Sequence, residues 1–274
     1  MCYQTFHGTE KPLRYDRMSG LDSEQLDELV LRIEEQLDGP WDKGIGRPRS
    51  LILREAIIIT CGYMRQNITQ EVWAEIFDTS QPVISGIIGK FTPLVEAATE
   101  EDRPTAEEAK EAAAREQTVL VDGFLAPTWS WRNIPELWSG KHKTTGFKGQ
   151  AITNLRGDLL FVSDPITGNH HDRTALAETE TADIMAAAFS GIGDKGYQGA
   201  DFITPFKKPQ GGELLDWQKE FNAQVNGLRA PVERAIAHLK SWRILHTDYR
   251  RPLRTYVTSY RAAVGLYFFK LTFE

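Results

Sequence analysis

The sequence predicts an all-α region followed by a mixed α/β domain, with the change near residue 117. Three observations carry that division. Up to about residue 95, apolar residues recur at three- and four-residue spacing between residues that start or break helices. An acidic, alanine-rich stretch over residues 96–116 then reads as a helical linker. Beyond it, short β-branched runs bounded by Gly, Asp and Asn alternate with helical stretches, as in strands and helices sharing one sheet.

The first helix is "DSEQLDELVLRIEEQL", where Leu26, Leu29, Val30, Ile33 and Leu37 make one apolar face and Asp22 suits the N-cap. "DGPWDKGIGRPRS" breaks the chain with glycine and proline. Three helices should follow: about Leu51 to Met64, then "TQEVWAEIF" capped by Thr69, then "QPVISGIIGKFTPLV" capped by Ser80 with Pro82 in its first turn. "TVLVDGF" is a short buried strand ending at Asp122. "GFKGQAITNLRGDLLFVSDPITG" reads as two strands around an Arg-Gly-Asp turn. "DRTALAETETADIMAAAF" is a helix, "IGDKGYQGADF" a strand and turn, "APVERAIAHLKSW" a helix, and a last helix starts near Thr255.

The 274 residues, 41% of them hydrophobic, can bury a sizeable core. Cys2 and Cys61 lack metal-ligand spacing and make no disulfide framework, which suits a reducing cytoplasm. The apolar runs are short or carry charge, so no membrane span is expected. The net charge of −6 is unevenly spread. Residues 96–116 hold eight acids against three bases, and residues 229–261 hold eight bases against two acids. The basic stretch is either an electrostatic footprint for a polyanion or a solvated helix face.

Asp122 and Asp194 both stand where a predicted strand gives way to glycine, and strand ends in open α/β sheets are where ligands bind. Glu233 lies one helical turn beyond Arg229 and two before Lys240, on the same face. Three carboxylates in one cleft need a compensating cation. Magnesium fits, and two such ions clamp an in-line displacement at phosphorus. The other reading is that the aspartates cap turns and Glu233 pairs with Arg229 or Arg234 on the surface.

The blocks "VDGF", "GFKGQAI", "VSDPITGNHHD", "GDKGYQG" and "RAPVERAIAHLKSWRIL", in this order over roughly residues 119–246, resemble those of bacterial insertion-sequence DDE transposases. More narrowly, they resemble the Harbinger-like DDE superfamily endonucleases. The resemblance implies an RNase H-like catalytic domain over residues 117–274 with Asp122, Asp194 and Glu233 as catalytic triad and metal ligands. It implies two Mg2+ ions, with Mn2+ able to substitute. Only 39 positions separate Asp194 from Glu233, too few for an inserted domain. Relatives carry a Tyr-Arg-Glu-Lys signature whose places here read Asn226, Arg229, Glu233 and Lys240, so the tyrosine is absent. Arg229 and Lys240 keep their places as phosphate contacts. Gly123-Phe124 replaces the family's Gly-Thr. Asp172, in "GNHHDRTAL", rivals Asp194 and is read instead as a helix cap; the adjacent His170 and His171 read as surface residues rather than zinc ligands.

Residues 1–95 contain the candidate helix-turn-helix, at about 51–95. Val83, Ile84, Ile87, Ile88 and Phe91 should face inward, leaving Gln81, Pro82, Ser85, Gly86 and Lys90 for DNA. Relatives carry arginine at the place of Gly86, so its absence points to phosphate contacts from Lys90, Arg65 and Arg49. Lys195, Arg234, Arg243, Lys141 and Lys143 are further DNA-contact candidates around the acidic residues. Trp129, Trp131 and Trp138 fill the core or stack on a base. The expected activity is cleavage at the ends of an insertion element and joining of 3′-hydroxyls to target DNA. The partners are then the terminal inverted repeats, the target duplex and a second copy of the chain, in the bacterial cytoplasm and nucleoid. A transposase-derived DNA-binding regulator and an RNase H-like structure-selective nuclease are the alternatives.

Overall fold

A computed structural model describes residues 14–41, 50–129 and 133–273. In chain order the helices begin with α1 (Tyr15–Ser19), α2 (Ser23–Glu35), α3 (Leu53–Gln66), α4 (Gln70–Ile76), α5 (Gln81–Ala98) and α6 (Ala106–Ala114). The strands β1 (Thr118–Pro127), β2 (Trp138–Ser139), β3 (Thr144–Asn154), β4 (Leu159–Val162) and β5 (Ile166–Thr167) follow. Then come α7 (Asp172–Glu178), α8 (Thr181–Ala187), β6 (Ser190–Ile192), α9 (Asp216–Leu239) and α10 (Tyr256–Leu271). The chain is mixed α/β and divides into two compact units. No helix among the described residues is long and apolar enough to cross a membrane.

One unit is helical and comprises the described residues up to Asp102, with Trp242–Ile244 and the chain from Arg261. Asp22 caps α2 as its sequence predicts, accepting from the Gln25 amide while the Gln25 side chain accepts from the Asp22 amide. Every residue of α3 from Ala56 to Met64 is buried, so this helix is the centre of the unit. Its Cys61 thiol is buried and free, and burial pushes it well above the usual thiol range. Cys2 lies outside the described residues. A short turn joins α4 to α5, which buries Ile84, Ile87, Ile88 and Phe91. Val83, expected inward, is exposed: it stands in the first turn of α5, and its side of the helix is buried only from Ile87, one turn further on. Gly86 and Lys90 face solvent, with the Lys90 ammonium 5.0 Å from the Trp41 ring centroid.

The other unit holds a six-stranded sheet in the order β2-β3-β1-β6, with β4 and β5 also paired to β3. β1 and β3 run antiparallel with Asp122 opposite Ala151, whereas β1 and β6 run parallel. The β3–β4 hairpin turns at Arg156-Gly157 as expected, with Asn154 Oδ1 accepting from the amides of Arg156, Gly157 and Asp158. Three elements depart from the sequence reading. The stretch read as a helical linker does form a helix, α6, but that helix packs into the core, burying Ala109 and Ala113 in one cluster with Val119, Val121, Ile152 and Ile184. β1 continues five residues past Asp122, because β3 pairs with it as far as Pro127. The single helix expected after His171 is two, broken at Thr179, whose extended backbone is held by hydroxyl bonds to Gln150 and Thr181.

Candidate active site

Strand register brings Asp122 and Asp194 together. Leu120 pairs with Ile192, the last residue of β6, and each aspartate lies two residues further along its own chain. Alternation sends Val119 and Val121 into the cluster under α6 and α8 and turns Asp122 the other way, where Arg229 of α9 meets it. The "GDKGY" turn then fixes Asp194, whose Oδ1 accepts from the Gly196 amide at 2.6 Å as that residue caps a single 3-10 turn.

Both aspartates are held in the same way, one oxygen by a backbone amide and the other by a cation. Asp122 Oδ1 accepts from the Gly123 amide at 2.8 Å and Oδ2 from Arg229 Nη2 at 2.6 Å. Asp194 Oδ2 lies 3.5 Å from Lys141 Nζ. Burial pushes the Asp122 carboxyl up to about 6; Arg229 opposes that rise, and the Asp194 charge adds to it. The pair is an all-oxygen donor set, the chemistry that suits magnesium or manganese.

Asp172 completes the surroundings and is not a helix cap. It is the first residue of α7, His171 holds the N-cap place, and the carboxylate is bound by two lysines. Lys148 Nζ donates to Asp172 Oδ1 at 2.9 Å and to the His170 carbonyl at 2.5 Å, and Lys141 Nζ lies 3.2 Å from Oδ2. Burial works to raise this carboxyl, but the Lys148 hydrogen bond and charge, then Lys141, hold it below the usual range. Packing around it is tight. A methyl group on Gly196 would collide with Asp172 Oδ2 and stand 2.8 Å from Asp194 Oδ1; one on Gly123 would stand 3.1 Å from Asp172 Oδ1. Gln150 donates to the buried Tyr197 hydroxyl at 3.0 Å and to the Asp172 carbonyl, tying β3 to both turns.

Glu233 stands apart from this centre. Its side chain is 57% exposed on α9, and its nearest cation is Arg229, at 3.7 Å. Arg229 thus bridges Glu233 and Asp122, and it is itself buried rather than extended to solvent as a phosphate contact would be. Among the described residues no three His, Cys, Asp or Glu side chains form a ready-made metal cluster. His170 Nδ1 instead lies 2.7 Å from Glu178. Lys240 is half-buried with its ammonium 5.6 Å from the Phe124 ring centroid, and burial lowers its pKa. Lys143, Lys195 and Arg234 are exposed. Arg243 is also exposed but belongs to the helical unit, where its charge acts on Arg65. In that unit Gln81 is half-buried and bonded to Gln70, and Ser85 is half-buried. Trp129 and Trp138 are exposed, so neither fills the core; Trp131 lies outside the described residues.

Lys148, Gln150 and Tyr197 have no assigned role in the sequence reading. All three sit inside the quoted blocks "GFKGQAI" and "GDKGYQG". A lysine and a glutamine two apart in the otherwise apolar run "GFKGQAI" were the available signal, since buried polar residues require partners.

Two curated proteins match along most of their length. The chain is 28% identical over 228 residues, 83% of each chain, to a protein of Streptomyces albus G described as a transposase for insertion sequence element IS112. It is 25% identical over 95% of each chain to one of Microchaete diplosiphon described as a transposase for insertion sequence element IS702. No solved structure matches the chain. Residues 121–267 match the family described as DDE superfamily endonuclease, a span that takes in Asp122, Asp194 and Glu233 and more than half of the sequence. With two aspartates brought together beyond the β1–β6 ladder and a helix-borne glutamate inside that span, the chain belongs to the DDE superfamily endonucleases.

Proposed function

We propose that the chain is a DNA transposase, cutting at the ends of an insertion element and joining the freed 3′-hydroxyls to target DNA. The observation that carries this reading is that Asp122 and Asp194 each stand two residues beyond the last β1–β6 pair, Leu120 with Ile192, in a chain of the DDE endonuclease family whose curated relatives are described as transposases. The sheet unit is read as RNase H-like, and α4 and α5 as a helix-turn-helix that binds the element's terminal repeats.

Asp122, Asp194 and Glu233 are the acidic set of the reaction. Two divalent cations, Mg2+ or Mn2+, would supply Lewis acidity for in-line displacement at phosphorus. The chain's own residues hold the reacting groups. Backbone amides at Gly123 and Gly196 orient the two aspartates, and Arg229 links Asp122 to Glu233 on α9. Lys141, Lys195 and Lys240 place positive charge beside the acids for the DNA backbone, with Lys143, Arg234 and Arg243 as further phosphate contacts. Two element ends must be brought together, so the active assembly contains at least two copies of the chain.

One observation favours a second reading. Glu233 is exposed and, among the described residues, joined to Asp122 through Arg229, as in a DNA-binding regulator that no longer cuts. Supercoiled-plasmid cleavage and joining with magnesium separates the two, using a plasmid that carries the element's own ends. A transposase cuts and joins, whereas Asp194→Ala binds the ends and does neither. Binding of the ends with no cutting by the wild-type chain sinks the transposase reading and leaves the regulator.

A further inference from the structure

Asp122 and Asp194 share one pattern of restraint but differ in the cation that holds them. Arg229, on Asp122, is 10% exposed and fixed in the body of α9. Lys141, on Asp194, is 53% exposed and rises from the tight turn between β2 and β3. That turn is itself firm, since the Lys143 amide donates to the Ser139 carbonyl at 2.8 Å. Lys141 is also the second cation on Asp172, which the buried Lys148 already neutralises. Withdrawing Lys141 therefore leaves Asp172 paired and uncovers one atom, Asp194 Oδ2. Lys141 also lines a cavity of about 420 Å3 whose walls hold Asp172 and Asp194 together with Lys148, Lys195 and Lys207, so cations stand around the acids in one space.

We propose that Lys141 is an exchangeable counterion of Asp194, displaced when a divalent cation loads and turned to a DNA phosphate at the rim of that cavity. The inference rests on the reading of Asp194 as a metal ligand. An ammonium and a divalent cation cannot share one carboxylate oxygen without strong repulsion, so one must leave. The half-exposed lysine leaves more readily than a buried guanidinium, because its ammonium remains solvated along the way. Lys141 is thus a positioning residue that couples loading of the site to the grip on DNA.

The test measures Mn2+ binding to the full chain by the spin resonance of the free ion, for wild type, Lys141→Met, Lys141→Arg and Asp194→Asn. The same proteins are titrated with a fluorescent duplex of random sequence, with and without Ca2+. Lys141→Met should bind Mn2+ roughly three- to tenfold tighter than wild type, with Lys141→Arg close to wild type. Ca2+ should tighten DNA binding by wild type, and this gain should shrink in Lys141→Met by a comparable factor, since the coupling is reciprocal. Suppose instead that Asp194→Asn loses Mn2+ while Lys141→Met binds it no tighter, or responds to Ca2+ as wild type does. The counterion role is then overturned and the metal reading survives. Wild type that binds no Mn2+, or binds it no better than Asp194→Asn, overturns both.

Discussion

At Asp122 burial works against the charged form that the proposed role as a metal ligand requires. Its carboxyl, raised to about 6 mainly by burial, holds a proton in the folded chain at pH values where the unfolded chain has released it. The sign follows from that difference: protonation favours folding, so the contribution is present below about pH 4 and is lost as pH rises through about 6. Asp172 behaves oppositely: held below its usual range, its contribution is present above the ordinary carboxylate range and is lost as pH falls below it. In metal-free protein, the urea midpoint of wild type relative to Asp122→Asn should therefore fall between about pH 4 and 6.5. A difference that stays flat across that window would show that Asp122 is solvated. The residue types at this site were legible in the sequence, since aspartates beside glycine at strand ends invite a ligand. Their neighbours were less so. Lys148 reaches Asp172 from 24 positions away and Arg229 reaches Asp122 from 107, separations that only tertiary structure closes. Asp172 was misread as a cap because local grammar favours Asp before a helix, whereas two lysines claim its oxygens.

Among the elements, helices with strong caps and a clear period were legible, and strand limits were not. β1 passes through Asp122 because its length is set by β3, a partner that no local signal reveals. The break between α7 and α8 depends in the same way on Gln150 of β3. In α5 the open place is Gly86, where an added Cβ would meet nothing within 4 Å. If α5 reads DNA, Gly86→Arg should tighten duplex binding about three- to tenfold at low salt and steepen the salt dependence by about one ion. Anisotropy titrations at several salt concentrations check it, and an unchanged affinity removes α5 from the interface. Gly62 of α3 is the contrasting case, since a Cβ there would collide with the Trp73 ring of α4. Gly62→Ala should lower stability by about 1–3 kcal/mol in urea unfolding. Loss of less than 0.5 kcal/mol would mean that α4 yields.

Over the whole molecule, chain order and spatial order disagree at one place. The sequence reading assigns everything after residue 117 to one domain, yet the chain from Arg261 belongs with the first hundred residues. The period of α10 could not show this, because the helix is apolar on nearly all sides and names no partner. Phe269 is fully buried with the Arg32 guanidinium 5.0 Å from its ring centroid, and Lys270 donates to the Gly20 carbonyl at 2.7 Å. Phe269→Ala should destabilise the helical unit by about 3–5 kcal/mol. Hydrogen exchange would then speed up in α2, α3 and α5 while β1 and β3 keep their protection, and equal loss in both units would deny their independence. The same closure sets a timetable during synthesis. Residues up to Asp102 leave the ribosome well before Arg261 does, a delay of roughly ten to thirty seconds at ordinary elongation rates. Throughout that interval the nascent helices lack the segment that completes their core. A ribosome that stalls or terminates in between releases a chain without a finished helical unit, so prematurely ended products should be cleared by proteases instead of accumulating beside the full-length protein.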